Sequence, residues 1–308
     1  MTQPQINSTV TPIYAKTTLG PVALTVHNLE PMMKFYREVL GLRLLLQEDN
    51  AVVFGTSDGR PLVSLLARAD APQPAANATG LYHLAIILPS RPDLARWFTH
   101  AFPFGIRLGQ SNHITHEAFY LVDPEGNGIE VYQDWSPEHW PWDEHHHIGF
   151  ERKDIAIREL LNTQTYDSVW RGAPVGTRMG HVHLKAADPS TMKAFYGDIL
   201  GFNITLDHPS AVFAAAGTYH HHLGSNNWRS EGGPIPSVGT RGLHHYTLEV
   251  PNATESNRLE AQLRAGGYSP EISSQGLLVR DPSGNAVLIV NQPSTASGTL
   301  TALKLAGL

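Results

Sequence analysis

Residues 20–42, GPVALTVHNLEPMMKFYREVLGL, align without a gap on residues 180–202, GHVHLKAADPSTMKAFYGDILGF. Phe35 and Tyr36 fall on Phe195 and Tyr196, and Leu40 and Gly41 on Leu200 and Gly201. A second pair matches in the same way: residues 80–90, GLYHLAIILPS, and residues 242–252, GLHHYTLEVPN. Each of these runs on to an Asp-Pro-x-Gly-Asn turn and a short apolar run, DPEGNGIEV at 123–131 and DPSGNAVLI at 281–289. The chain is therefore a fourfold repeat of units of about 50 residues in the order a-b-a-b. Each unit opens on an alternating apolar run that predicts a strand. A predicted helix follows, over 30–40, 91–102, 189–200 and 254–265, with Gly41 and Gly201 placed to cap the first and third. Further runs such as AVVFGT, PLVSLLAR, AFYLVD and GIEVYQ predict two or three more strands. The unit is β-α-β-β-β and the fold class is α+β.

The repeat divides the chain into a first domain of modules 1 and 2 (17–135), a linker (136–176) and a second domain of modules 3 and 4 (177–292). The linker is expected to hold some helix near 155–161, and residues 70–80 to link the first two modules. The tail, 293–308, is small or polar and expected to order only by docking. A length of 308 residues is ample for two domains with a large core. A net charge of -6 argues against nucleic acid, which is bound by basic surfaces. The absence of cysteine excludes disulfides, thiolate chemistry and Cys-bound zinc or iron–sulfur sites. A metal would have to be held by histidine, carboxylate, carbonyl or water. The N-terminal MTQPQINSTVTP lacks the apolar core of a signal peptide. No apolar run approaches the roughly 20 residues of a membrane span. A cytoplasmic protein without a membrane partner is expected. The 17 histidines are many and they cluster.

Four β-α-β-β-β modules with KFY…LG helices and DPxGNxIE strands resemble the vicinal oxygen chelate superfamily of glyoxalases, antibiotic resistance proteins and extradiol ring-cleaving dioxygenases. The ordered set LYHLAIILPS, GNGIEVY, GHVHLK and YHHHLG resembles the bacterial catechol 2,3-dioxygenases. The resemblance implies that two modules close into a curved sheet around a divalent metal. Ligands then come from the first strand of each module and the last strand of one or both. By repeat position the first-strand candidates are Pro21, His83, His181 and His245, and the last-strand candidates include Glu130 and Leu288. Modules 1 and 2 supply only His83 and Glu130, modules 3 and 4 only His181 and His245, and modules 1 and 4 only His245. Modules 2 and 3 together supply His83, Glu130 and His181. Two imidazoles and a carboxylate form the facial triad of non-haem Fe(II) oxygenases, with open positions for substrate and O2. A crossed pairing of modules 2 and 3 is therefore expected to bind Fe(II), or Mn(II). Modules 1 and 4 would form a metal-free half.

The same resemblance implies an acid–base histidine near the end of the module that carries the first ligand. That region is TYHHHLG, 218–224. Alternation on a strand end would turn His220 and His222 one way and His221 the other. His221 and His222 are the candidates. The family also carries a His and a Tyr ahead of the glutamate, here His113 and Tyr120. His183 shares a strand face with His181 and is expected either behind the ligands or in the pocket wall. His245, at the same repeat position as His83 but without a nearby carboxylate, is expected to be a vestige or a core histidine, and His244 and His116 are expected at the surface. DEHHHIG (143–149) reads as an incidental linker, with Trp135, Trp140 and Trp142 as its packing anchors. The expected activity is insertion of O2 into catechol or a substituted catechol by a homo-oligomeric extradiol dioxygenase. Two alternatives are a glyoxalase-like isomerase or thiol transferase, with four protein ligands and often two glutamates, and a metal-free small-molecule-binding resistance protein.

Overall fold

A computed structural model describes residues 10–149, 151–165 and 169–305. Module 1 is β1 (Thr18–Val26), α1 (Leu29–Glu38), β2 (Arg43–Glu48), β3 (Ala51–Gly55) and β4 (Pro61–Ala67). Module 2 is β5 (Gly80–Ile87), α2 (Arg91–Ala101), β6 (Gly109–Asn112), β7 (His116–Val122) and β8 (Gly128–Asp134). After a linker carrying α3 (Ile157–Leu161), module 3 is β9 (Arg178–Lys185), α4 (Pro189–Lys193), β10 (Asn203–His208), β11 (Ala211–Ala215) and β12 (Leu223–Asn226). The α4 helix runs on into a π-helical stretch, Ala194–Ile199. Module 4 is β13 (Gly242–Glu249), α5 (Ala253–Ala265), β14 (Glu271–Ile272), β15 (Leu277–Arg280) and β16 (Ala286–Val290), and α6 (Ala296–Ala302) follows.

Short polar side chains start the helices. Asn28, Ser90, Asp188 and Asn252 each accept a backbone N–H of the first turn of α1, α2, α4 and α5. Gly41 and Gly201 follow the helices of modules 1 and 3 with φ of 70° and 80°, a conformation that favours glycine.

The strands form two eight-stranded sheets that cross the sequence halves. One joins modules 2 and 3 in the order β10-β11-β12-β9-β5-β8-β7-β6. The other joins modules 4 and 1 in the order β14-β15-β16-β13-β1-β4-β3-β2. The seams are antiparallel pairs of first strands, β5 with β9 and β1 with β13. Alternation assigns the faces. Leu84, Ile86, Val182 and Leu184 point into one large core shared by both sheets and the helices α1, α2, α4 and α5. His83, His181 and Glu130 point to the opposite, concave face.

The two modules within each half of the sequence are held together by a different device. Tyr36 of α1 donates a 3.2 Å hydrogen bond to Asp123 Oδ2 in the module 2 turn. Tyr196 donates a 2.9 Å bond to Asp281 Oδ2 in the module 4 turn. Each aspartate also accepts backbone N–H groups of its own turn, from Glu125 and Asn127 and from Ser283 and Asn285. The repeated Phe-Tyr and Asp-Pro-x-Gly-Asn motifs are thus partners in the fold.

The tail docks. Leu300 and Leu303 pack on Ala23, Ala51, Val53 and Leu66, and Ala302 packs on Leu288 and Val290. The C-terminal helix therefore fills the concave face of the second sheet, where Leu288 is buried at 2% exposure.

Candidate metal centre

Three adjacent strands build the site. Ala85 of β5 lies opposite His181 of β9 on one side and Glu130 of β8 on the other. Its methyl leaves the floor open, so the imidazole and the carboxylate meet above it. His83, two residues before Ala85, enters from the same face. His83 Nε2 and His181 Nε2 are 3.3 Å apart. Glu130 Oε2 lies 3.0 Å from His83 Nε2 and 3.1 Å from His181 Nε2. All three residues are buried.

These spacings fit a metal. Neighbouring ligands of an octahedral ion with bonds of about 2.1 Å stand about 3.0 Å apart. Two imidazole nitrogens turned toward each other at this range cannot form a good mutual hydrogen bond while both also face one carboxylate oxygen; a shared cation satisfies all three. The protonation states agree. Burial pushes the His181 imidazole down to about 4, so it is neutral at physiological pH. Burial alone would raise Glu130, but the surrounding histidines outweigh it and hold its carboxyl well below the usual range.

Around the triad lies a cavity of about 770 Å³, a size suited to a small organic ligand. His113 and Tyr120 line it, joined by a 2.8 Å bond between His113 Nε2 and the Tyr120 hydroxyl. His113 Nδ1 lies 3.2 Å from the Glu151 carbonyl. That contact makes Nδ1 the donor, so Nε2 accepts from Tyr120. Burial holds His113 down to about 4 and pushes the Tyr120 phenol well above its ordinary value, so both are neutral. His221 lines the cavity beside His181, with ring centroids 4.3 Å apart, and stacks on Phe213.

Several expectations change. His222 does not line the cavity; its Nδ1 accepts the Ala216 N–H at 3.2 Å. Residues 216–222 bend before β12 rather than extending, so strict alternation does not apply, and both His220 and His221 reach the cavity. His116 is not exposed: it opens β7 on the same face as Ala118 and Tyr120 and is 4% exposed. Its Nε2 stands 3.1 Å from Glu130 Oε1, off the hydrogen-bond direction. The period-two spacing from Tyr120 was the signal for it. His244 is buried too, with its Nδ1 2.8 Å from that of His245. His183 is in the cavity wall as expected, and Asn226 lies 2.9 Å from its Nε2. Trp140 anchors the linker, donating to the Trp135 and Thr115 carbonyls and packing with Ile148 and Phe213. The linker also supplies cavity wall through Ile148, Gly149 and Arg152, which the sequence had not suggested. The Asp143–His147 turn is exposed and lies outside the cavity.

Comparison with known proteins agrees with this architecture. A family model described as the Glyoxalase/Bleomycin resistance protein/Dioxygenase superfamily matches residues 18–131 and again 178–289. A Bacillus subtilis (strain 168) protein named catechol-2,3-dioxygenase is 34% identical over 283 residues, covering 91% of this chain and 99% of its own. Among solved structures, a candidate dioxygenase of Bacillus subtilis subsp. subtilis strain 168 superposes with a TM-score of 0.66 at 15% identity, over 93% of this chain and 88% of that one. Glyoxalase I from Zea mays superposes with a TM-score of 0.56 at 14% identity, over 94% and 95% of the two chains. At those identities the two structures share the fold alone. The doubled family match and the Bacillus relative, which spans nearly the whole chain, place this protein in the Glyoxalase/Bleomycin resistance protein/Dioxygenase superfamily.

Proposed function

We propose that this protein is an extradiol ring-cleaving dioxygenase that inserts O2 into catechol or a substituted catechol at a single metal ion held by His83, His181 and Glu130. The observation that carries this reading is the meeting of two imidazole nitrogens and one carboxylate oxygen within 3.3 Å of one another on the floor of a cavity. When bound, Fe(II) or Mn(II) supplies a template with open positions and a path for electrons between diol and O2.

The chain's own groups do the rest. Glu130 contributes one negative charge and metal-ligating imidazoles none, so the site favours a divalent cation that an anionic diol can still approach. Phe213 and His221 both line the cavity and give it an aromatic wall beside the triad. Tyr120 donates its proton to His113, leaving its oxygen as an acceptor for a substrate hydroxyl. His221 is the imidazole nearest His181 and is the group proposed to take and return the substrate proton.

The isomerase alternative needs a second carboxylate at the matching place on the last strand of module 3. Gly224, which pairs with His183 on the neighbouring strand, occupies that place. A Cβ there would lie 3.0 Å from the His183 ring, so the position is filled by the histidine instead. The binding-protein alternative predicts loss of ligands from both sheets, whereas one sheet keeps a full set. The test is anaerobic loading with Fe(II), then catechol and air. A yellow ring-fission product is expected; its absence across several catechols and hydroquinones, with Fe(II) and with Mn(II), overturns the proposal.

A further inference from the structure

We infer that Asp134 and His220 are positioning residues that hold His221 in one tautomer, with an unprotonated Nε2 turned to the cavity. The inference rests on the dioxygenase reading for its purpose, but its geometry is independent of it. His220 Nε2 lies 2.9 Å from Asp134 Oδ1, and His220 Nδ1 lies 2.8 Å from His221 Nδ1. Both rings are buried. Asp134 is the last residue of β8, four residues beyond Glu130, so one strand carries a proposed ligand and the end of this chain of contacts.

Each contact needs one proton and one lone pair. Burial pushes Asp134 up, but the His220 and His116 imidazoles and the Tyr219 hydroxyl together outweigh it and the carboxyl stays below its ordinary range. Asp134 therefore accepts, and His220 Nε2 carries the proton. Burial keeps His220 below the ordinary histidine range, so the ring is neutral and its Nδ1 is a bare acceptor. His221 Nδ1 must then donate. A neutral imidazole has a single N–H, so His221 Nε2 carries a lone pair. That nitrogen makes no hydrogen bond among the described residues, and the ring lines the cavity. Stacking on Phe213, with centroids 4.4 Å apart and planes 18° apart, restrains a ring flip.

Asp134 is itself fixed. Its Oδ2 accepts a 2.9 Å bond from Tyr219, whose oxygen accepts a 2.8 Å bond from Tyr132. A second cation between His116, Asp134 and His220 is the rival use of these groups. The rings of His116 and His220 are stacked side by side, 5.1 Å apart with planes at 13°, which does not aim both at one ion. Asp134 and His220 are already joined by a hydrogen bond. In the reaction, a substrate O–H bond breaks, its electron pair stays on oxygen, and an N–H bond forms at His221 Nε2. The imidazolium charge so created faces Asp134 through His220, and the proton returns to a product oxygen.

The test is long-range 1H–15N NMR on metal-free protein labelled at histidine. His221 is expected as the Nδ1–H tautomer and His220 as the Nε2–H tautomer. In D134N the side-chain amide donates to His220 Nε2, so both tautomers invert. With Fe(II) loaded, kcat of D134N should fall on the order of 10²-fold or more while Fe(II) content and KM stay at wild-type values. Y219F, which keeps the aromatic packing, should retain both tautomers and lose kcat only several-fold. A wild-type His221 with its proton on Nε2, or a D134N that keeps the wild-type tautomers, overturns the inference. So does a D134N that inverts them with unchanged kcat. A protein that shows the predicted tautomers and inversion yet cleaves no diol supports the Asp134–His220–His221 arrangement and overturns the dioxygenase reading instead.

Discussion

At the scale of single residues, Glu130 and Leu288 occupy the same repeat position and do opposite things. Glu130 is buried on the cavity floor among three histidines. Leu288 is buried against Ala302 and Val290. Glu130→Ala should therefore abolish Fe(II) binding, measured by metal content after loading and desalting, with the fold intact by circular dichroism. Leu288→Ala should leave metal content unchanged and cost about 2–4 kcal/mol of unfolding free energy in urea, the range for a buried leucine truncation. Equal loss of metal from both variants would refute the assignment. Ala85 matters for its smallness. Ala85→Leu should fill the gap over which His181 and Glu130 meet and remove metal binding, checked by the same metal analysis. The triad was legible in sequence because the resemblance implied ligands on first and last strands, and repeat position and residue chemistry then select these three residues. His220 and Asp134 were not, because their proximity depends on a bend at 216–222 and on the far end of β8.

At the scale of elements, the repeated motifs act as clasps. Tyr36 holds the Asp123 turn and Tyr196 holds the Asp281 turn, each across a boundary between modules of one sequence half. Tyr196→Phe leaves a buried carboxylate one donor short and should cost about 1–3 kcal/mol, read from the urea midpoint, without changing metal content. The C-terminal helix is a plug. Truncation after Pro293 should uncover the apolar concave face made by Ala23, Val53, Leu66 and Leu288. Binding of a hydrophobic dye should rise and stability should fall, while the metal triad on the other sheet stays loaded. Loss of metal on truncation would show that the two sheets are more tightly coupled than the separate placement of helix and triad indicates. The strand order within each module followed from alternation. The docked helix α6 did not, because its small residues gain their apolar partners only from a sheet made by two distant modules.

At the scale of the whole molecule, the chain buries many neutral histidines. Burial depresses His113, His181 and His244 to about 4 and His222 to about 3 from an ordinary 6.5. Between those values the unfolded chain binds protons that the folded chain refuses. Stability therefore rises with pH across this window and is lost on acidification. Asp281, raised by burial to about 6, acts in the opposite sense, because its folded form holds a proton that the unfolded form releases. The histidines outnumber it. The metal-free protein should show a falling urea midpoint from pH 6.5 to 4.5; a flat or rising midpoint would contradict the buried, neutral state of these rings. Among the described residues no helix is long and apolar enough to cross a membrane.

The sequence by itself determined the fourfold β-α-β-β-β repeat, because local alternation, helix caps and turn chemistry are written within each module. It also singled out His83, Glu130 and His181, because the family resemblance implies ligands on first and last strands and only these repeat positions, in a crossed pair of modules, carry the donor atoms. Only the tertiary structure decided which side chains surround that triad. Cavity walls are drawn from modules 2 and 3 and from the linker between them, and whether His220, His221 or His222 turns inward depends on a non-extended bend whose side-chain directions follow no fixed period. Burial, which leaves several of these imidazoles neutral, is likewise a property of the closed sheet and of no single segment.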